Sequence, residues 1–140
     1  MPASPSDLEA LKKLASETNR AVLVTHRKDG GLQSSPMSVV ADDDGNILTA
    51  TRARNAKTHN LARDPRATLC LFAERWPGPW AHVDGEVEIE RLPEAMPLLV
   101  DYYRRRGQDT ATDAFRERMQ SENRVLIRLK PQRVVRSPNA

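Results

Sequence analysis

One stretch of the chain concentrates side chains that could bind an anion. Thr49, Thr51 and Arg52 end a β-rich run, and Asn55 and Lys57 follow where a helical pattern starts. Backbone N–H groups at a helix N-terminus lack partners within the helix, and the positive end of the helix dipole lies there. With its basic side chains, this segment predicts a phosphate site. A capped surface helix with solvated basic side chains explains the same residues equally well.

Other kinds of chemistry find little support in the sequence. The three histidines show no short metal-ligand spacing, and the Gly-x-Ser-x-Gly motif of serine hydrolases does not occur. The single cysteine, Cys70, lies between two leucines in a strand pattern and is predicted to be a buried packing residue. The acidic run 42–44 precedes a glycine, which is typical of a hairpin turn. We therefore predict no metal site, and no residue stands out as a catalytic acid.

The composition limits the class of protein. The 140 residues are 39% hydrophobic and 29% charged, which predicts one globular domain over residues 1–140. Lysine and arginine (22) exceed aspartate and glutamate (19) by a net charge of +3, which suits anionic small molecules but not nucleic acid. The chain contains neither an apolar run near the ~20 residues of a membrane helix nor a signal-peptide pattern. With a single cysteine, these features predict a cytoplasmic protein without a membrane span.

The hydrophobic periodicity predicts a sheet with short peripheral helices. An amphipathic helix is expected over residues 6–18, with Ser6 and Glu9 at capping-box spacing. Short helices are also expected after Asn55, from Pro93 and around Phe115. Strands are predicted at residues 21–25, 32–41, 47–52, 67–73, 82–91, 125–129 and 134–135. Because turns join the first three strands, the sheet should be antiparallel, which favours a small closed or split barrel.

Four segments of the chain carry a resemblance to a known family. They are LVTHRKDGGLQSSPMSVV (23–40), DGNILTAT (44–51), AKTHNLARDPR (56–66) and VDGEVEIE (83–90). Together they resemble the pyridoxamine 5′-phosphate oxidase-like split-barrel family, and within it the deazaflavin (coenzyme F420)-dependent reductases. The resemblance spans about residues 8–136, and Lys57-Thr58-x-Asn60-Leu61 followed by Asp64-Pro65-Arg66 is its most specific part. It implies an α+β, mainly β fold: a six-stranded antiparallel split β-barrel that forms a homodimer with cofactors in shared clefts.

The resemblance also implies which residues contact the cofactor. The strand from Gln33 to Met37 would lie beside the conjugated ring, while Lys57 and Asn60 would hold the phosphate. Related proteins carry an arginine two residues before this lysine, whereas this chain has Asn55 there. The aromatic loop 76–80 is either a hydrophobic plug or reaches the cofactor cleft of the other subunit. The implied cofactor-binding residues are Gln33, Ser34, Ser35, Met37, Thr49, Ala50, Thr51, Arg54, Asn55, Lys57, Asn60 and Trp80.

The implied activity is that of a coenzyme F420-dependent oxidoreductase. It would transfer hydride from the reduced deazaflavin to a conjugated, apolar small-molecule acceptor. Coenzyme F420 carries an oligoglutamate tail, and Arg27, Lys28, Arg52 and Arg54 supply positive charge that would attract it, which favours this coenzyme over FMN. An FMN-binding pyridoxamine 5′-phosphate oxidase-like protein, or a non-catalytic carrier or sensor of a flavin, haem or deazaflavin, is the alternative.

Overall fold

A curled antiparallel sheet forms most of the structure, a computed structural model that describes residues 2–140. The strands are β1 (Arg20–His26), β2 (Leu32–Ser38), β3 (Val40–Ala41), β4 (Ile47–Arg52), β5 (Arg66–Phe72), β6 (Trp80–Glu90) and β7 (Arg124–Arg136). The helices are α1 (Pro5–Thr18), α2 (Ala56–Arg63), α3 (Met96–Arg105) and α4 (Asp113–Ser121). The order in the sheet is β2-β1-β5-β6-β7-β4-β3. None of these helices is both long and apolar enough to cross a membrane.

The sheet has seven strands in the described residues, not the expected six, because segment 32–41 forms two of them. Val39 separates β2 from β3, and its N–H donates to the Asn19 carbonyl oxygen at 3.0 Å instead of to a neighbouring strand. β2 pairs with β1, whereas β3 pairs with β4 at the opposite edge. The chain thus passes from one edge of the sheet to the other through a single residue, which draws the edges together into a half-barrel.

In the C-terminal segment, two predicted strands form a single one. Residues 125–129 and 134–135 belong to one long strand, β7, which continues through Pro131. The register with β6 shifts between Asp84 and Gly85, and Gly85 pairs with Pro131. A Cβ atom at Gly85 would overlap the Lys130 carbonyl oxygen, so the close approach of the two strands requires glycine there.

Helix α1 begins at Pro5, and its capping box lies two residues before the predicted one. The Ser4 hydroxyl accepts from the Asp7 N–H, and the Asp7 carboxylate accepts from the Ser4 N–H, both at 3.1 Å. Proline is favoured at the first helical position because it lacks an N–H, so the cap is the residue before it. The predicted box from Ser6 to Glu9 is wrong because Ser6 already lies inside the helix.

Two hydrophobic clusters lie on the two faces of the sheet. The first, here called the barrel core, fills the concave side beneath α1 and includes Leu23, Ile47, Leu69, Val83, Ile127 and Leu129. The second, here called the helix layer, packs α3 and α4 on β4 and β7 and includes Leu48, Ala50, Tyr102, Tyr103, Phe115, Met119 and Leu126. Strand β4 is buried on both faces because its alternate residues enter different clusters.

Cys70 is exposed, so the prediction of a buried thiol is wrong. Its neighbours Leu69 and Leu71 point into the barrel core, and strand alternation places Cys70 on the opposite face. Partial desolvation on that face raises the pKa of the Cys70 thiol, so it is not an activated nucleophile.

Candidate cofactor-binding cavity

The turn between β4 and α2 is held by side chains that sequence reasoning assigned to a phosphate site. Asn55 occupies the N-cap position, but its side chain donates to the Thr51 hydroxyl at 2.8 Å and does not cap the helix. The Thr58 hydroxyl donates to the Arg52 carbonyl oxygen at 2.9 Å. These bonds fix the turn, and the Thr58 N–H donates to the Asn55 carbonyl oxygen at 3.0 Å. The Asn55 side chain does not cap the N–H groups of Ala56 and Lys57 that precede it, as an anion site at a helix N-terminus requires.

Lys57 lies half-buried beside Arg124 of β7. Burial lowers the pKa of the Lys57 ammonium, and the Arg124 charge lowers it further. Two like charges held close together in a partly desolvated place repel each other. An anion bound between them would relieve that repulsion and restore the pKa of Lys57.

Asn60 is buried at the base of α2 and joins this helix to β1. Its side-chain amide donates to the Thr25 hydroxyl at 3.1 Å, and its side-chain oxygen accepts from Arg63 at 3.0 Å. The polar atoms of Asn60 therefore already have protein partners.

A cavity of about 450 Å³ lies where the helix layer meets the ends of β2 and β4. Its volume falls within the roughly 300–1,000 Å³ of small-molecule sites. We call it the tyrosine–arginine cavity; it is lined by Pro36, Met37, Ser38, Ala50, Thr51, Tyr102, Tyr103, Arg106, Gln108, Arg118, Glu122 and Arg124.

The walls of this cavity combine apolar strand residues with basic groups from the helices. Arg106 and Arg118 lie over the Tyr103 ring, with guanidinium carbons 5.5 and 5.4 Å from its centroid. Glu122 accepts from Arg124 at 2.9 Å, and its oxygens lie 3.5 Å from Arg52 and 3.9 Å from Arg118. The hydrogen bond from Arg124 lowers the pKa of Glu122, which is therefore ionised at neutral pH.

The charges of the cavity fit an anionic ligand. Three arginines line it against one carboxylate, and Lys57 adds a further positive charge next to Arg124. The buried Nε of Arg52, next to this cluster, finds no hydrogen-bond partner within residues 2–140. Arginine binds the oxygens of phosphates and carboxylates through paired N–H groups, so this donor set can hold an anionic ligand.

Some of the predicted site residues meet at this cavity. Met37, Ala50 and Thr51 line it directly. Asn55 donates to the Thr51 hydroxyl, and Lys57 does not line the cavity. Three of the twelve predicted site residues therefore line this cavity, and a fourth is bonded to one of them.

Other predicted residues lie at two neighbouring cavities. Gln33 and Asn60 line one of about 300 Å³, together with Arg27 and Lys28. Arg54 lines another of about 330 Å³, together with Arg52 and Glu122. The four basic residues expected to attract an acidic tail thus form two pairs in separate places. Glu122 also lines the tyrosine–arginine cavity, which makes the Arg54 cavity its direct neighbour.

The remaining predicted residues line none of these three cavities within one chain. Thr49 is buried, and its hydroxyl donates to the Ser38 carbonyl oxygen at 2.8 Å. Ser34 is exposed and Ser35 half-buried along β2. Trp80 begins β6 opposite Phe72, with 38% of its surface exposed.

Sequence reasoning missed the helix-side wall of the cavity. Tyr102 and Arg106 are four residues apart, the spacing that places two side chains on one helix face. The three arginines at 104–106 suit a helix C-terminus, where basic residues interact favourably with the dipole. Spacing alone does not show that this face closes a cavity.

The curled sheet defines a split-barrel protein. The family model for pyridoxamine 5′-phosphate oxidase matches residues 8–136, so the chain belongs to that family. The resemblance stated from the four sequence segments is confirmed by this match.

Solved structures with the same fold carry different descriptions. The conserved hypothetical protein Rv2991 from Mycobacterium tuberculosis is 25% identical, the match covering 96% of this chain and 86% of that one, with a TM-score of 0.75. A structure described as an F420 reductase is 20% identical, with 89% and 94% covered and a TM-score of 0.68. A heme binding protein from Mycobacterium smegmatis is 21% identical, with 96% and 55% covered and a TM-score of 0.68.

Proposed function

We propose that the protein is an oxidoreductase that binds coenzyme F420 at the tyrosine–arginine cavity and reduces a conjugated small molecule. The observation that carries this proposal is a cavity of ligand size lined by three arginines and by residues of β2 and β4, with half-buried Lys57 in the first turn of α2, the helix that follows β4. Lys57 and Arg124 would hold the phosphate, while Met37 and Ala50 would face the ring. Among proteins of this fold, the one described as an F420 reductase supports the choice of a deazaflavin.

The choice of coenzyme F420 over FMN rests on charge beyond the phosphate site. Arg27 is paired with Asp29 and Arg52 with Glu122, which leaves Lys28 and Arg54 without an ion-pair partner in the part of the chain that the structure describes. Each of these two side chains lines a cavity next to the phosphate site. An oligoglutamate tail could reach either of them, whereas FMN ends at the phosphate.

The residues of the cavity position the reactants and do not supply a proton. The chemistry that the coenzyme supplies when bound is a hydride, two electrons and one proton, to one end of a conjugated double bond. Ionised Glu122 holds no proton to donate, because its pKa is lowered by Arg124. The Tyr102 hydroxyl donates to the Ser38 carbonyl oxygen at 2.8 Å, and burial raises its pKa. In this proposal the second proton comes from water.

A second copy of the chain completes the site in this proposal. Trp76 is 87% exposed and Trp80 is 38% exposed on one loop, which would otherwise present apolar surface to water. We expect sedimentation at micromolar concentration to give about twice the chain mass of 15.7 kDa. A mass of one chain would contradict both the dimer and the shared site.

The deciding experiment titrates coenzyme F420 and FMN into the wild type and the Lys57→Ala variant at low and high salt. Loss of one charge-assisted hydrogen bond of roughly 1.5–3 kcal/mol should weaken coenzyme binding by about tenfold to a hundredfold. Coenzyme F420 should bind the wild type more tightly than FMN, and its affinity should fall more steeply with salt.

The control is Lys13→Ala, which removes an exposed lysine on α1 far from the cavity. Both variants should unfold at wild-type temperatures, and only Lys57→Ala should lose affinity. Equal affinities of the wild type for the two cofactors, or unchanged binding in Lys57→Ala, would count against the proposal.

The second candidate is a non-catalytic carrier of a flavin-type cofactor or of haem. The missing proton donor among the lining residues favours it, and a heme binding protein shares the fold. Mixing the protein with reduced coenzyme F420 and a panel of quinones and enones separates the two, because a carrier leaves every acceptor unreduced.

A further inference from the structure

One arginine of the cavity carries a charge that no carboxylate balances. In the run 104–106, Arg104 lies 2.6 Å and Arg105 lies 2.8 Å from the carboxylate of Asp101. Arg106 faces the cavity, and among residues 2–140 it has no carboxylate within ion-pairing distance. The protein thus neutralises two of these arginines and leaves the cavity-facing one available.

The Arg106 guanidinium is held in place by aromatic rings. Its central carbon lies 5.5 Å from the ring centroids of both Tyr102 and Tyr103. Its Nη1 donates to the Tyr102 hydroxyl oxygen at 3.4 Å, and that hydroxyl in turn donates to the Ser38 carbonyl oxygen at 2.8 Å. Tyr103 is fixed by edge contacts with Tyr102 and Phe115, at centroid distances of 4.8 and 5.5 Å.

A guanidinium positioned before its ligand arrives is suited to one class of anion. Its planar N–H groups match the two oxygens of a carboxylate, and little side-chain entropy is lost on binding because the rings already hold it. The Gln108 side chain lines the same part of the cavity and adds neutral hydrogen-bonding groups.

This end of the cavity is separate from the proposed phosphate end. Arg106 and Arg118 both lie over the Tyr103 ring. Arg118 forms an ion pair with Glu122, which also pairs with Arg124. The charge of Arg124 in turn lowers the pKa of Lys57. The intervening Glu122 carboxylate balances charge at the Arg124 side and not at Arg106. Of the three arginines that line the cavity, Arg118 and Arg124 pair with Glu122 and Arg106 does not.

We propose that Arg106 binds a carboxylate of the acceptor, so that the substrates are conjugated compounds carrying a carboxylate and not apolar ones. This inference rests on the proposed function, because it assigns the phosphate to Lys57 and leaves Arg106 for the second reactant. The acceptor would lie along the tyrosine wall with its carboxylate at Arg106 and its double bond towards the coenzyme ring.

The test compares two probes of similar shape, of which one carries a carboxylate and the other a neutral amide. Binding of trans-cinnamate and trans-cinnamamide to the full chain is measured by ligand-observed NMR titration. We expect the wild type to prefer cinnamate by about tenfold or more, the effect of one charge-assisted pair. Arg106→Gln should abolish the preference, and Arg104→Gln, which removes the same charge from the same turn outside the cavity, should retain it.

A separate coenzyme F420 titration keeps this inference distinct from the proposed function. Arg106→Gln should weaken coenzyme binding much less than Lys57→Ala does, and its thermal midpoint verifies that it is folded. If Arg106→Gln fails to fold, Arg106→Lys replaces it and should retain part of the preference, because a point charge lacks the paired N–H geometry.

The carboxylate site is overturned if the wild type binds both probes equally, if Arg104→Gln loses the preference as well, or if Arg106→Gln weakens the coenzyme as much as the cinnamate. If the wild type prefers cinnamate but does not bind coenzyme F420, the proposed function fails and the carboxylate site stands.

Discussion

The barrel core and the helix layer are built from different residues. The buried members of the barrel core are aliphatic, such as Leu23, Leu69 and Ile127. The helix layer contains the three buried aromatic rings Tyr102, Tyr103 and Phe115, together with two methionines. Both clusters share β4 and β7, whose alternate residues enter one cluster or the other.

The difference shows how packing and binding are divided in this molecule. Aliphatic side chains exclude water and hold the strands together, but they offer a ligand no hydrogen bond. An aromatic ring buries its edge in the layer and presents a face that a guanidinium can contact. The packing that attaches α3 and α4 to the sheet therefore also positions Arg106 and Arg118 in the cavity.

The largest expected effect comes from a large-to-small change in each cluster. Leu69→Ala in the barrel core and Met119→Ala in the helix layer should each lower the free energy of unfolding by roughly 2–5 kcal/mol. Both side chains are at most 2% exposed. Denaturant unfolding at one fixed protein concentration measures this loss.

Ligand binding should then separate these two variants. Folded Leu69→Ala should bind coenzyme F420 and cinnamate as the wild type does, because its cavity walls are intact. Met119→Ala should bind both more weakly, because α4 carries Arg118 and ends at Glu122. Equal binding by the two variants would show that the clusters are not divided in this way.

The barrel could be predicted further from the sequence than the cavity could. Strand β6 followed from alternation, and β1 and β5 followed from short β-rich or apolar runs. The break at Val39 was missed because residues on both sides of it are β-formers, and only pairing with two different edges makes them two strands.

The residues of the candidate site were likewise only partly predictable from the sequence. The position of Lys57 in the first turn of a helix followed from local spacing, because strand, turn and helix are contiguous in the chain. Arg106 did not, because a helical period shows that one side of α3 is apolar without showing which strands it covers. That information arises only when residues about fifty positions apart, such as Ala50 and Tyr102, come together.

A smaller effect is expected where the helix layer is bonded to the end of β2. Tyr102→Phe removes the hydroxyl that donates to the Ser38 carbonyl oxygen. That oxygen also accepts from Thr49, so it keeps a partner, and the free energy of unfolding should fall by only about 1 kcal/mol. The same hydroxyl accepts from Arg106, so the preference for cinnamate over cinnamamide should also decrease.

Thr49→Val is the matched control for this change. The Thr49 hydroxyl, on β4, is the other donor to the Ser38 carbonyl oxygen. Its removal leaves the hydrogen bond from Arg106 to the Tyr102 hydroxyl in place. A cost in stability with an unchanged cinnamate preference is expected. If Tyr102→Phe and Thr49→Val alter the preference equally, the tyrosine hydroxyl does not position Arg106.

The smallest effect is expected on the barrel side, at the start of α1. The Asp7 pKa lies below its ordinary value of 3.8, because the carboxylate accepts from the Ser4 N–H and from Arg136. A lowered pKa in the folded state stabilises the protein above the unfolded pKa, and this contribution is lost as the pH falls through the folded pKa. Asp7→Asn should therefore lower the free energy of unfolding by about 1 kcal/mol or less at neutral pH. The difference from the wild type should shrink below pH 3.8.

Denaturant unfolding between neutral and acidic pH measures this difference, with Asp44→Asn in the exposed turn before β4 as the control. Ligand binding should not change, because Asp7 belongs to the barrel side. A pH-independent difference would mean that Asp7 acts through shape alone, and altered cinnamate binding would show that α1 is coupled to the cavity.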